Sequence, residues 1–199
     1  MNVFIVYAHP SEKSFTYQIK NAFITGLEKA GHSYAVSDLY KMRFATDMTE
    51  AEYLRESSYN EDLPVPEDVL AEQEQINKCD GICFIYPVFW TEAPAKLVGW
   101  FDRVWTYGFA YGKNKKTMKM LEKALIICVA GHSQETLEDY GHLEAMRTVM
   151  LKDRLFDRAK HKEFIVFDSM TNFDEEVRKN YWNKHIAKAF EVGFKFGRL

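Results

Sequence analysis

The chain has 199 residues, 47% hydrophobic and 28% charged, with a net charge of −3. That length supports one domain with a substantial core, and the acidic balance argues against nucleic acid or an anionic membrane surface as partner. No apolar stretch approaches the roughly 20 residues that an integral membrane span needs, and the opening MNVFIVYAHP lacks the basic region of a signal peptide.

Cys79, Cys83 and Cys128 lie in or beside apolar runs. Buried reduced thiols and a cytoplasmic location are therefore expected, and no metal site. Residues 3–8, VFIVYA, form the short apolar run of a buried strand. In SFTYQIKNAFITGLEKAG, Phe15, Ile19, Ala22, Phe23, Leu27 and Ala30 share a helical face, and Gly31 suits the carboxyl cap. SYAVSDLY, 33–40, is a second strand. From Met42 to Pro66 the chain is polar and irregular, with TEAEYLRE as a short helix candidate. This segment is long for a connection, and Phe44, Tyr53, Leu54, Tyr59 and Leu63 mark it as a packed excursion covering a site. PEDVLAEQEQINKCD reads as a helix opened by Pro66, and strand GICFIYP follows. APAKLVGWFDRVW is a helix with Leu97, Phe101 and Val104 as core, while Trp100 and Trp105 are ambiguous. ALIICVAG, 124–131, is a fourth strand, HLEAMRTVMLKDRLFDRAK a helix and EFIVFDSM a fifth strand. DEEVRKNYWNKHIAKAFEVGFKF closes the chain as a helix with acids at its start and bases later.

Strands alternating with helices argue for an α/β fold, a five-stranded parallel sheet with helices on both faces, in one domain over residues 1–199. Such sheets bind ligands beyond the carboxyl ends of their strands, where strand order reverses. AHPSEKSF, YPVFWTEAP and VAGHSQETLEDYGH should therefore converge. In the first, the helix begins near Ser14, and its free amides with the Ser14 and Thr16 hydroxyls suit a phosphate. A plain N-cap is the alternative. The chain has no G-x-G-x-x-G and no Walker loop, which counts against a nucleotide-binding Rossmann enzyme and an ATPase. In YPVFWTEAPAKLVGWFDRVWTYGFAYG, six rings (Phe89, Trp90, Trp105, Tyr107, Phe109, Tyr111) crowd one segment. They are either aromatic core with a dimer patch or a slot for a flat ligand.

That segment resembles the signature F-P-L-x-W-x-x-x-P-A-x-L-K-G-W-x-[ED]-R-V and later F-A-[YF] of the flavodoxin-like NAD(P)H:quinone reductases of the DT-diaphorase type. VYAHPSEKSFTY, SDLYKMRF and AEQEQINKCDGICFIYP match further motifs of the same family, over roughly the first 130 positions. The resemblance implies a flavodoxin-like fold in a short, bacterial-like form, without the large carboxyl-terminal segment of the animal enzymes. It also implies bound flavin (FAD, with FMN possible), NAD(P)H as electron donor, a homodimer, and a quinone or other flat aromatic as acceptor. His9, Ser14, Phe15 and Thr16 fall where the family holds the flavin's phosphate and ribityl end, with Thr16 in place of an Asn. Pro87, Val88, Phe89, Trp90 and Thr91 match the loop around the isoalloxazine. Ala130 and Gly131 fall at its pyrimidine edge, where Ala130 replaces a Gly. His142 aligns with the active-site His, and the partner Tyr of that His aligns with Thr136, so its role is lost or moves to Tyr140. Tyr111 and Trp90 line the substrate pocket, Tyr111 being supplied by the partner subunit.

The implied chemistry is two-electron transfer from NAD(P)H to the acceptor by a ping-pong cycle, because one slot serves both substrates. His142 is the candidate proton source, a residue type that changes charge near neutral pH. A surface position at a helix start is its alternative reading. Two other functions remain open, a flavin-binding electron carrier and a regulatory subunit of a membrane transporter. Carriers of that kind are usually strongly acidic with a Ser/Thr-Gly-rich phosphate loop, and this chain has neither.

Overall fold

A computed structural model of the chain describes residues 1–112, 116–171 and 173–198. Its centre is a five-stranded parallel sheet in the order β2-β1-β3-β4-β5, built from Asn2–Tyr7, Ser33–Asp38, Gly81–Pro87, Leu121–Val129 and Ala159–Phe167 (β1 to β5). Alternate residues of the apolar strands supply two different cores, as the period of two requires. Val3, Ile5, Cys83, Ile85, Leu125 and Ile127 pack under α1 (Phe15–Lys29) and α7 (Glu175–Phe194). Phe4, Val6, Phe84, Tyr86, Ile126 and Cys128 pack under α3 (Glu67–Lys78) and α4 (Ala95–Val104). Helices therefore cover both faces, as expected of a sheet whose central strands carry almost no polar side chains. Trp100 and Trp105 both turn out to be core, buried beside Phe101 and Phe84.

Helix α1 starts at the Ser14 cap and stops at Gly31. Gly31 has φ 76, and the Gly31 and His32 amides donate back to Glu28 O and Leu27 O. That is a Schellman stop, which only a residue tolerant of left-handed backbone makes cheaply. On the other side of the sheet, α2 (Glu50–Ser57) sits in the 42–66 excursion under a Thr49–Glu52 capping box. The excursion is packed, but not by the residues expected. Phe44 is buried, whereas Tyr53, Leu54, Tyr59 and Leu63 are exposed. Its inner face is ionic: Glu52 and Arg55 are the buried residues of α2.

The segment after β4 also differs from expectation. The single helix expected over 142–160 is instead α6 (His142–Arg147) followed by a π-helical stretch Thr148–Arg154, and a further short helix, α5 (Gln134–Asp139), precedes them. Gly141, at φ 72, separates α5 from α6. Ala159 and Lys160 already belong to β5, because Leu121 pairs with Ala159 along the β4 ladder. Lys160, His161, Lys162 and Glu163 are exposed on this edge strand, which hid its start from a search for apolar runs. Charged residues on an edge strand also discourage strand addition. Among the described residues no helix is long and apolar enough to cross a membrane.

Candidate active site

Backbone ladders carry on past the ends of the central strands, so three loops emerge side by side. Ala8 N donates to Ile85 O at 3.1 Å, Val88 N to Val129 O at 2.8 Å and Ala130 N to Phe167 O at 2.9 Å. The structure thus aligns the segments of His9, Val88 and Ala130 along one carboxyl edge. The order β2-β1-β3 reverses there, and the helices that follow β1 and β3, α1 and α4, leave for opposite faces.

Beyond β1, the loop folds on itself. The His9 Nδ1 accepts from Ser11 N at 2.9 Å, and burial pulls its imidazole below the ordinary histidine range. The Ser14 hydroxyl accepts from Tyr17 N at 3.0 Å, so the plain capping role is filled. The Phe15 and Thr16 amides lie ahead of the helix's own ladder and keep their donors for another group. Phe15 and Thr16 side chains are both buried, Phe15 against the Trp182 ring at 4.5 Å between centroids. Two groups beneath this turn escaped the sequence reading. Tyr7 Oη is buried with no hydrogen-bond partner, and burial raises its phenol well above the usual range. Ser14 lies close enough to temper that rise but does not meet the geometry of a bond. The Lys20 ammonium stands 4.0 Å over the Tyr17 ring and 4.8 Å over the Tyr7 ring, and desolvation lowers its pKa. A stranded hydroxyl, a buried cation and free helix amides fit an anionic group such as a flavin phosphate.

The loop after β3 is a tight hairpin. Phe89 and Glu92 exchange both backbone hydrogen bonds, at 2.8 and 3.0 Å. Trp90 and Thr91 between them have φ 53 and 66, the signature of a type I′ turn made without glycine. Left-handed backbone is costly for a β-branched residue, and such strain clusters where a ligand is gripped. A second anchor holds the turn: Arg154, the last residue of the π-helical stretch, pairs with Glu92 at 3.1 Å while lying over the Phe101 ring. Pro87 is buried at the strand end and Val88 is half-buried. Phe89 is 45% exposed and Trp90 99% exposed, so this chain covers Phe89 only in part and leaves Trp90 bare. A flat ligand or a neighbouring subunit would complete the cover.

After β4, Ala130 is buried and bonded on both sides, its N–H to Phe167 O and its carbonyl to Met170 N at 3.2 Å. Its backbone does not need glycine's freedom, so the extra methyl is accommodated. At Gly131 a Cβ would meet Thr171 Oγ1 at 2.7 Å, so a larger residue there would push the Thr171 side chain aside. The expected pair His142 and Tyr140 do come together. Tyr140 caps α5, His142 starts α6, and their rings lie 5.7 Å apart. Thr136 is taken up by the Ser133 cap, its hydroxyl 2.9 Å from Ser133 Oγ.

Nearby, His185 of α7 is buried with Nε2 3.0 Å from Asp168 O. A carbonyl only accepts, so Nε2 carries the proton and Nδ1 is left as a buried, unpartnered acceptor. Burial lowers the His185 pKa. No short motif advertises His185 or Tyr7.

Tyr111 stands elsewhere, in an open cavity of about 430 Å³ lined by Tyr59, Tyr107, Tyr111 and Gly112. Tyr59 comes from the excursion and lies 5.2 Å from the Tyr107 ring.

The chain matches the family of flavodoxin-like fold across residues 1–179. It is similar over its whole length to the structure of an NAD(P)H:quinone oxidoreductase from Methanothermobacter marburgensis, at 42% identity and a TM-score of 0.93, covering 98% of that chain. NAD(P)H dehydrogenase [quinone] 1 of Cavia porcellus is 39% identical over 121 residues, which cover 54% of this chain and 44% of that protein. An uncharacterized NAD(P)H oxidoreductase of Haemophilus influenzae is 28% identical over 90% of this chain and 89% of its own. The chain spans about half the length of the curated eukaryotic relatives it matches. With the signature of residues 86–111 on a sheet of order 2-1-3-4-5, the chain belongs to the flavodoxin-like family, in the group of the NAD(P)H:quinone oxidoreductases.

Proposed function

We propose that this protein is a flavin-dependent NAD(P)H oxidoreductase that passes two electrons to quinones or similar flat acceptors. One observation carries the reading. The strained, exposed Trp90–Thr91 turn stands at the carboxyl edge beside an α1 start that holds an unpartnered Tyr7 hydroxyl. FAD or FMN would place its phosphate on the Phe15 and Thr16 amides near His9, and its ring along Pro87–Thr91 and Ala130–Gly131. When bound, the flavin supplies the two-electron chemistry between NAD(P)H and the acceptor. The protein's part is to orient the two substrates in turn over one slot, hence a ping-pong cycle, and to exclude water from it. Backbone amides near Gly131 and the imidazole of His142 face developing negative charge, and His142 or Tyr140 delivers the proton.

We also infer a homodimer, which would cover the exposed Trp90 and Phe89 rings and bring Tyr111 of one subunit to the slot of the other. Residues 1–199 then act as one domain, with the 42–66 excursion as part of the slot's cover. Buried free thiols at Cys79, Cys83 and Cys128 support a cytoplasmic location; burial pushes the Cys79 thiol up to about 11, which keeps it unreactive. The purified protein decides the reading. A yellow cofactor of FAD or FMN mass, and NAD(P)H oxidation that requires an added quinone, are expected. A colourless protein that takes up neither flavin would end it, and a yellow protein inert to NAD(P)H would favour an electron carrier.

A further inference from the structure

The cavity around Tyr111 has a carboxylate beside it that the proposed reaction does not use. Glu56, on the last turn of α2, reaches the 106–112 segment with one oxygen and holds Arg55 with the other. Its Oε2 accepts from Tyr111 Oη at 2.6 Å and from Tyr107 N at 2.8 Å. Its Oε1 accepts from Arg55 Nη1 at 2.6 Å. Arg55 is buried and locked in turn, giving Nη2 to Tyr107 O at 3.1 Å and Nε to Leu63 O at 3.0 Å. The Tyr111 hydroxyl, the Tyr107 amide and all three Arg55 nitrogens are thus engaged within the excursion and the tyrosine segment.

A carboxylate paired with a guanidinium only accepts, so the Tyr111 phenol must donate its one proton to Glu56. Burial, and then the Glu56 contact, raise the Tyr111 pKa, which keeps that proton in place. Any group that meets the Tyr111 oxygen from the cavity then meets lone pairs alone. A carbonyl there finds no donor, while an N–H or O–H finds an acceptor.

We propose that Glu56 is a positioning residue that fixes Tyr111 as a hydrogen-bond acceptor, so that the Tyr111 wall of the cavity favours flat aromatics that bring an N–H or O–H donor to it over those that turn a carbonyl there. The cavity volume of about 430 Å³ suits a two-ring aromatic, and three tyrosines supply flat walls. The inference rests on the reductase reading for its choice of ligand, but not for its readout.

The test is equilibrium binding of 2-amino- and 2-methyl-1,4-naphthoquinone to the oxidised holoprotein, with the ratio of the two dissociation constants compared across variants. Taking the ratio against Tyr111→Phe cancels differences intrinsic to the quinones. Wild type should favour the amino compound by on the order of fivefold relative to Tyr111→Phe, the worth of one neutral hydrogen bond. Glu56→Gln, whose amide can donate to the phenol oxygen and release its proton, should shrink that preference, and should change nothing once Tyr111 is Phe. A purely structural role for Glu56 would weaken both ligands alike and leave the ratio unmoved. If Glu56→Gln does not fold, Tyr111→Phe decides alone. Equal ratios in wild type and Tyr111→Phe, or no binding of either naphthoquinone, would overturn the inference. Absence of NAD(P)H turnover with a preserved ratio would instead count against the reductase reading only.

Discussion

At the residue scale, one backbone cost falls where the ligand is expected. Thr91 holds φ 66 with a branched Cβ in a turn that asparagine or glycine would form freely. Thr91→Gly should therefore raise the thermal midpoint of the flavin-free protein by about 2–4 °C, for roughly 1 kcal/mol of relieved strain. Flavin affinity should fall at the same time, because the turn is no longer pre-set; a lowered midpoint would show that Thr91 is not strained. His142 makes the complementary case. Its imidazole lies half-buried at the start of a six-residue helix, with its ring 5.7 Å from that of Tyr140. If it relays the proton, His142→Ala should slow NAD(P)H oxidation at saturating substrate by on the order of a hundredfold while flavin stays bound. Tyr140→Phe should lower the same rate, and the double variant should lose less than the product of the two. An unchanged rate in His142→Ala assigns the residue to the surface and leaves the amides near Gly131 as the stabilising donors.

At the element scale, ions and bare glycines join the parts. Arg103 on α4 binds Glu52 of α2 at 2.7 Å, Asp68 of α3 at 2.6 and 3.0 Å, and the Ala45 carbonyl at 2.9 Å, so one buried guanidinium fastens the excursion to the core. Arg103→Met would leave Glu52 buried without its counter-ion, at a cost of about 3–5 kcal/mol, and the thermal midpoint should drop by roughly 10 °C. The pH dependence has a definite sign. The Arg103 hydrogen bond holds the Asp68 carboxyl below its ordinary range. Burial alone would raise Glu52, but hydrogen bonds from Thr49 and Arg103 outweigh it and leave Glu52 lowered too. Groups depressed on folding stabilise above the unfolded carboxylate value of about 4 and lose that contribution as pH falls through the folded value. Melting curves should fall away below about pH 4 in wild type and be flatter there in Arg103→Met. On the opposite face, a Cβ on Gly193 would sit 2.1 Å from Phe23 O and one on Gly26 2.1 Å from Phe190 O. Helices α1 and α7 therefore meet backbone to backbone. Gly193→Ala should cost about 2–3 kcal/mol by overpacking and lower the midpoint by about 5–10 °C; a midpoint within 2 °C of wild type would show that the helices part easily.

At the scale of the whole molecule, the expectation is a two-fold dimer with one flavin per chain. The exposed Phe89 and Trp90 rings stand at the mouth of the proposed slot, and Tyr111 lines a separate cavity. Light scattering at micromolar concentration should return twice the chain mass, and absorbance should give one flavin per chain. A one-chain mass with full activity would mean that a single subunit completes the slot.

Much of this was legible in the order of residues. Apolar runs of strand length between amphipathic helices argue for a doubly covered parallel sheet, because that arrangement buries both faces of VFIVYA, GICFIYP and LIICV. The motif of residues 86–111 already located the loop at the sheet's edge. What the linear pattern could not reveal depended on neighbours distant in the chain. Tyr7 looks like core until its hydroxyl is found unpartnered under α1. Ala159 and Lys160 read as the end of a helix until pairing with β4 draws them into a strand. The excursion's inner face, read as apolar, is ionic because Arg103, 51 residues from Glu52, supplies the counter-charge. Composition and periodicity determine which residues leave water; which buried donor meets which acceptor is decided only when the chain closes on itself.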